Sequence, residues 1–264
     1  MDGIGSAAVA LRKFPDAKLY PAEYQDEEYT KEDFVGETVV IVDFCPSIIR
    51  DIVEVAERVI WCDHHKTQQD KYPDLWSTLQ GERDITKSGI LLTWEYFFDE
   101  PAPSIVNYIS DYDIWEFKYG LNTKYIHEYA SMLLFDPKQE EWNNLFTNPE
   151  LINEYLVIGS VLYNAKERRV KQAFNQVIEK NIWGYTVGFV NANNDISELG
   201  NYIASNGYDV GAIWRLSKNM DVIVSLRSVG DVDVSKIAVE YKGGGHKNAS
   251  SFGINFNAFV EMIR

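Results

Sequence analysis

The stretch Arg58-Val59-Ile60-Trp61-Cys62 runs straight into Asp63-His64-His65, and an earlier one, Glu37-Thr38-Val39-Val40-Ile41-Val42, runs into Asp43. Near-continuous apolar, β-branched runs of this length are how parallel strands covered on both faces read. Between them, Ile48, Ile49, Ile52, Val53 and Ala56 recur at helical spacing over Ser47–Ala56, with Ser47 placed behind Pro46 to cap that helix. Strand, helix and strand in this order predict an α/β domain with a mostly parallel sheet.

Outward from this unit, Ile4–Lys13 carries small and apolar residues at helical spacing, Ala17–Tyr20 reads as a short strand, and Ser88–Phe98 and Ser104–Tyr112 read as helices. From Pro137 to Lys180 no strand pattern occurs, and Leu151–Lys180 predicts one long amphipathic helix. Its basic patch, Lys166, Arg168, Arg169 and Lys171, reads as a solvated face. Beyond it, Tyr185–Val190, Val210–Trp214 and Asp221–Leu226 read as strands, with helices over Ile196–Ala204 and Val234–Tyr241. The predicted organisation is an α/β domain over 1–150, a connecting helix over 151–182 and a smaller α/β domain over 183–264.

The 264 residues carry 25 Lys+Arg against 40 Asp+Glu, a formal charge of −15. Residues 183–264 hold seven basic and eight acidic residues, a net −1, which leaves −14 to residues 1–182. That shift separates two domains with different duties. Most of the excess solvates a surface, and so acidic a chain does not suit long duplex nucleic acid. With 45% hydrophobic and 14% aromatic residues, the chain is not disordered. No apolar run approaches the ~20 residues of a membrane span. Met1–Gly5 lacks the basic start of a signal peptide, and two cysteines, Cys45 and Cys62, make no disulfide framework. The expected compartment is the cytoplasm, with both cysteines as small buried hydrophobes.

The residues with chemistry to offer lie at strand ends. Asp43 ends one strand, Asp63-His64-His65 follows the next, and Asp111 sits late in the helix of Tyr108–Trp115. Residues just beyond the carboxyl ends of neighbouring parallel strands converge on one crevice. Asp2, ahead of the first helix, joins that edge if a strand precedes it. Carboxylates and imidazole without thiolate suit hard or borderline divalent ions, manganese or magnesium better than structural zinc. Such an ion polarises a phosphoryl oxygen and lowers the pKa of bound water.

A second group is Gly243-Gly244-Gly245-His246, followed by Lys247. Three glycines let a backbone approach a ligand and turn its N–H groups to an anion, although glycines here also serve to end the Val234–Tyr241 helix. Arg227, at the end of a strand, suits either a bidentate phosphate clamp or a surface ion pair. Trp115 and the aromatic stretch Trp94–Phe98 read as core ahead of a base-stacking surface, with Trp115 close enough to Asp111 in sequence to keep the stacking role open.

Together the Asp63-His64-His65 triplet and Gly243-Gly244-Gly245-His246, in this order and over nearly the whole chain, resemble the DHH phosphoesterase superfamily. The resemblance implies a parallel-sheet DHH domain over 1–150 joined by the long helix to a DHH-associated substrate domain over 183–264. It implies an Mn²⁺-dependent hydrolase with two ions in the interdomain cleft, Mg²⁺ or Co²⁺ substituting. The substrate class implied is a small nucleotide or short oligonucleotide. The metal ligands implied are Asp2, Asp43, His64 and Asp111, with Asp113 an alternate to Asp111. His65 is implied near the scissile phosphate or attacking water, with Asp63 orienting an imidazole. Arg227, Gly243, Gly244, Gly245 and His246 are implied in holding phosphate or a terminal nucleotide, and a homodimer is common among such proteins.

The family's first motif has the form His-x-x-x-Asp-x-Asp-Gly, and Met1-Asp2-Gly3 matches only its tail. Two readings follow. Residue 1 is an internal methionine of a longer protein, or the chain is a short form with one metal and little or no activity. The corresponding functional alternative is a nucleotide-binding protein that keeps the cleft without the chemistry.

Overall fold

The two apolar runs that end in acid are neighbouring parallel strands. In the computed structural model, which describes residues 1–21 and 29–264, β1 (Thr38–Val42) pairs with β2 (Arg58–Cys62) in register from Thr38↔Arg58 to Val42↔Cys62. Equal register brings Asp43 and Asp63 out at the same edge. Single parallel bridges, Ile60↔Gln80 and Asp63↔Arg83, lay the next segment against β2. Arg83 fastens it there, donating to the carbonyls of Trp61 and Trp76 at 2.6 Å each.

The chain divides into two units, Met1–Tyr163 and Asn164–Arg264. Around its sheet the first unit carries α1 (Asp2–Lys13), α2 (Ile49–Val55), α3 (Lys66–Lys71), α4 (Pro73–Thr78), α5 (Gly89–Phe97), α6 (Ser104–Asp113), α7 (Leu121–Leu133) and α8 (Glu140–Thr147). α9 (Ile152–Phe174) starts in this unit and ends in the next. One core lies among the helices, with Val9, Ile90, Trp94, Ile109, Ile126 and Trp142 buried together. A second lies on the sheet around Ile41, Ile49, Ile52 and Trp61. Cys45 and Cys62 are buried free thiols, as small hydrophobes should be.

The second unit is a six-stranded mixed sheet in the order β3-β4-β5-β6-β8-β7. Its strands are β3 (Ile178–Ile182), β4 (Tyr185–Asn191), β5 (Val210–Leu216), β6 (Asp221–Ser228), β7 (Gly244–His246) and β8 (Ala249–Asn255). Only β4 and β5 run parallel, joined through α10 (Ile196–Ser205), and every other pair is antiparallel. Along β6, Val222, Val224 and Leu226 are buried with residues of α11 (Val234–Glu240) and α12 (Phe256–Ile263), while the intervening residues face the opposite side. On that side α10 packs, burying Leu199 and Ile203 with Val190 and Ile213.

Four local expectations need correction. Ala17–Tyr20 forms no strand, since among the described residues β1 pairs only with β2. α2 starts at Ile49 behind Ile48 with no side-chain cap, so Ser47 is not its capping residue. The long helix stops at Phe174, because Gln176 N–H and Val177 N–H turn back onto the carbonyls of Ala173 and Phe174 and lead into β3. The basic patch on α9 is not merely solvated. Lys166 is buried against Glu198, and Arg169 grips Asp195 at 2.9 and 3.2 Å, which ties α9 to α10. Among the described residues, no helix is long and apolar enough to cross a membrane.

Candidate functional site

Asp43 is positioned by backbone rather than by side-chain partners. It leaves β1 with φ of 50°, in the left-handed region that costs a non-glycine residue ~1–2 kcal/mol. Its own N–H donates to the Cys62 carbonyl at 2.9 Å. Two glycines cradle its side chain. A Cβ on Gly89 would stand 2.7 Å from the Asp43 Cβ and 2.9 Å from Oδ1, and one on Gly3 would stand 3.1 Å from Oδ2. Gly89 opens α5, and its N–H and that of Ile90 donate to Asp2 at 2.6 and 2.8 Å. Asp2 thereby occupies the positive end of a helix 87 residues away in sequence.

His64 stands at the centre of these acids. Its Nε2 lies 3.1 Å from Asp43 Oδ1, 3.5 Å from Asp113 Oδ2 and 3.6 Å from Asp2 Oδ2. Asp43 Oδ1 is buried and out of line for a hydrogen bond, so this oxygen has no hydrogen-bond partner. Burial, followed by the charges of Asp43 and Asp113, holds the Asp2 carboxyl well above its ordinary pKa. Burial also raises Asp113. Burial works against a charged His64, yet the facing Asp43 carboxylate and the charges of Asp2 and Asp113 carry its pKa up to about 9. The Asp2 and Asp113 carboxyls beside this imidazole resist ionisation, and a divalent cation among the three acids would relieve the crowding. Asp43, His64 and His65 form one group whose ligand atoms lie within 4.8 Å of one another, and Asp2, His64 and Asp113 form a second. The oxygen-rich donor set and the orphaned Oδ1 fit such an ion.

His65 is held differently. Asp63 is fully buried, and its Oδ1 accepts from the backbone N–H groups of His64 and His65 at 2.8 and 3.2 Å. The same oxygen lies 2.7 Å from His65 Nδ1, which raises the His65 pKa against the effect of burial. This contact fixes the ring and leaves Nε2 as the other proton-carrying atom.

Asp111 is not at the cluster. Its fully buried carboxylate accepts from Lys118 N–H at 2.9 Å, from Tyr119 N–H at 3.2 Å and from the Thr123 hydroxyl. Its lone pairs are spent on the loop that follows α6, and the acid beside His64 is Asp113. Trp115, for which the core reading stood beside an open stacking role, is 58% exposed, whereas Trp94 is buried as expected. Gly3 and Gly89 went unread as site residues. The pair Ser88-Gly89 ahead of an apolar helix was the available signal for a close backbone approach.

In the second unit, Arg227 pairs with Ala249 on β8, and Ala249 pairs with His246 on β7. Directly paired residues point to one face, so Arg227 and His246 share a row two strands apart. Gly200 in α10 leaves room for the Arg227 stem, and Arg227 donates to Ser197 Oγ and to the Leu226 carbonyl, both at 2.9 Å. Burial lowers its pKa. The glycines do not end α11. Lys242 does so, at φ of 61°, with its N–H on Val239 and that of Gly243 on Ala238 at 2.9 and 2.8 Å. Gly243 and Gly245 pack their backbones on β8, where a Cβ would strike Ser251 or Ala249, but a Cβ on Gly244 would meet open space.

The family model described as the DHHA1 domain matches residues 161–264, starting within α9 and ahead of residue 183. The chain is 28% identical over 253 residues to the uncharacterized protein R106 of Acanthamoeba polyphaga mimivirus, covering 91% of this chain and 57% of that protein. It is 28% identical over 230 residues to the oligoribonuclease NrnB of Bacillus subtilis, covering 81% and 57%. The chain thus spans little more than half the length of these two relatives. The pGpG-specific phosphodiesterase PggH of Vibrio cholerae superposes with a TM-score of 0.55 at 12% identity, over 98% of this chain and 92% of that one. The DHH domain of a member of a family of ribosomal proteins superposes at 0.52 with 16% identity, over 86% and 68%. At these identities the structural likeness shows a shared fold. Residues 161–264 thus match a DHHA1 domain, and the Asp-His-His triplet leaving β2 stands on a fold similar to that of a DHH domain.

Proposed function

We propose that the chain is a metal-dependent phosphoesterase that hydrolyses a phosphodiester or phosphomonoester of a small nucleotide or short oligonucleotide, with Mn²⁺ as its ion. The observation that carries this reading is the convergence of Asp2, Asp43 and Asp113 on His64, with a buried Asp43 oxygen lacking a hydrogen-bond partner. Asp2, Asp43, His64 and Asp113 would hold the ion, which polarises a phosphoryl oxygen and supplies a hydroxide near neutral pH. Asp63 holds His65 in one orientation, so the ring carries a proton at Nε2 for the leaving oxygen. In the second unit, Arg227, His246 and the open backbone at Gly244 take an anionic group of the substrate. The net charge of −15 favours a short substrate over a long polyanion. Two relatives act on such molecules by their names, an oligoribonuclease and a pGpG-specific phosphodiesterase. Two free buried thiols suit a reducing cytoplasm.

The test is hydrolysis of a chromogenic phosphodiester, a dinucleotide, a cyclic dinucleotide and a 3′,5′-bisphosphorylated nucleoside with Mn²⁺. The expected result is cleavage of at least one, lost in EDTA and in His65→Ala and Asp43→Asn. Calorimetric binding of the nucleotides without cleavage of any would overturn the hydrolase reading in favour of a binding protein.

A further inference from the structure

The loop after α6 sets an exposed indole beside the acids. Trp115 lines a cavity of about 160 Å³ with Asp2, Asp113, Tyr112 and His127, so carboxylates form one wall and aromatic rings another. Tyr112 lies flat on His127, with ring centroids 3.4 Å apart and planes 6° from parallel. The Trp115 ring meets Tyr112 and Phe117 edge-on at 5.5 and 4.7 Å. A fold left to itself buries tryptophan, and this one keeps Trp115 58% exposed. The backbone supports that arrangement at a cost. Trp115 and Phe117 both take left-handed φ, 60° and 54°, a conformation held only where surrounding structure over-determines it. Asp111 supplies the restraint. Its carbonyl accepts from Glu116 N–H at 3.1 Å, and its carboxylate accepts from the N–H groups of Lys118 and Tyr119 and from Thr123. The acid that does not join the cluster instead holds the loop that displays the ring.

We infer that Trp115, backed by Tyr112 and Phe117, is the platform on which a nucleobase of the substrate stacks while its phosphate lies toward Asp113 and Asp2. The proposal rests on the phosphoesterase reading for the phosphate's place, and it adds the feature that distinguishes a nucleotide from any other phosphate ester. A flat π-face beside a phosphate-competent wall fits a base. Stacking tolerates every base, so the platform selects for the presence of a base and not for its identity.

The experiment compares calorimetric binding of AMP, GMP and ribose 5-phosphate, with Mn²⁺ present, in the wild-type chain, Trp115→Asn and Trp115→Phe. Asparagine tolerates the left-handed backbone and removes the ring, while phenylalanine keeps a stacking face. The expected result is tighter binding of both nucleotides than of ribose 5-phosphate. That preference falls in Trp115→Asn by about 5- to 150-fold, the range that loss of one stacked base gives, and is largely kept in Trp115→Phe. An unchanged preference in Trp115→Asn, or none in the wild type, overturns the platform. If the chain hydrolyses no ester but shows a Trp115-dependent base preference, the platform stands and the hydrolase reading falls.

Discussion

The two units prepare their functional groups in opposite ways. In the first, a buried Asp2, half-buried Asp43 and His64 and a more exposed Asp113 are pressed together, which leaves a buried Asp43 oxygen without a hydrogen-bond partner and Asp2 and Asp113 carboxyls that resist ionisation. In the second, Gly244 and His246 lie open on an edge strand, and the neighbouring glycines are explained by packing on β8. A cation site is built by crowding like charges that only the ion reconciles, whereas an anion site is built by baring backbone and a few donors. The first arrangement costs stability that a bound cation would restore, and the second costs little.

The largest effect that separates them is metal-linked stability. Mn²⁺ at 100 times its dissociation constant should stabilise the protein by ~2.7 kcal/mol, read as a rise in melting temperature that EDTA reverses. Asp43→Asn should abolish the rise, while Arg227→Ala, in the other unit, should leave it. A rise that survives Asp43→Asn would show that the crowded acids are not where the ion binds.

Next comes the cradle. Gly89→Ala places a Cβ 2.7 Å from that of Asp43 and should weaken Mn²⁺ binding by ~10–100-fold, the usual penalty for disturbing the support of a ligand. Gly244→Ala meets open space and should change neither Mn²⁺ affinity nor the urea midpoint. Equal behaviour of the two variants in an Mn²⁺ titration would erase the distinction drawn between the units.

A finer cut lies within the first unit. Asp111→Asn leaves two backbone N–H groups and a hydroxyl facing an amide, and should cost ~1–3 kcal/mol in urea unfolding while keeping Mn²⁺ affinity. Asp113→Asn should do the reverse, weakening Mn²⁺ binding and easing repulsion in the metal-free protein. The reverse outcome would return Asp111 to the ligand set.

That pair also marks where sequence stopped being legible. The apolar runs ending in Asp43 and Asp63 carry their own period and terminus, so the strands and the edge they share could be read directly. Asp111 and Asp113 lie two residues apart on one helix, about 200° around its axis, and so on opposite sides. Which side faces His64 depends on Lys118, Tyr119 and Thr123, whose bonds no local pattern announces. The same holds for Trp115, whose exposure follows from a left-handed turn that residue type disfavours. The glycine run reads as a loop because glycine disfavours strands, yet pairing with β8 makes it β7.

The smallest effect concerns how that run is entered. Lys242 holds the left-handed position that usually falls to glycine at a helix end, and the bonds from Lys242 and Gly243 back to Val239 and Ala238 complete the cap. Lys242→Gly should therefore stabilise the protein by up to about 1 kcal/mol in urea unfolding, since it relieves the strain without removing either backbone bond. A gain of that size means that α11 is already ended before residue 243, so the openness at Gly244 is free to serve a ligand. A loss means that the Lys242 side chain is itself part of what the second unit presents, and the line between fold and site in that unit must be drawn one residue earlier.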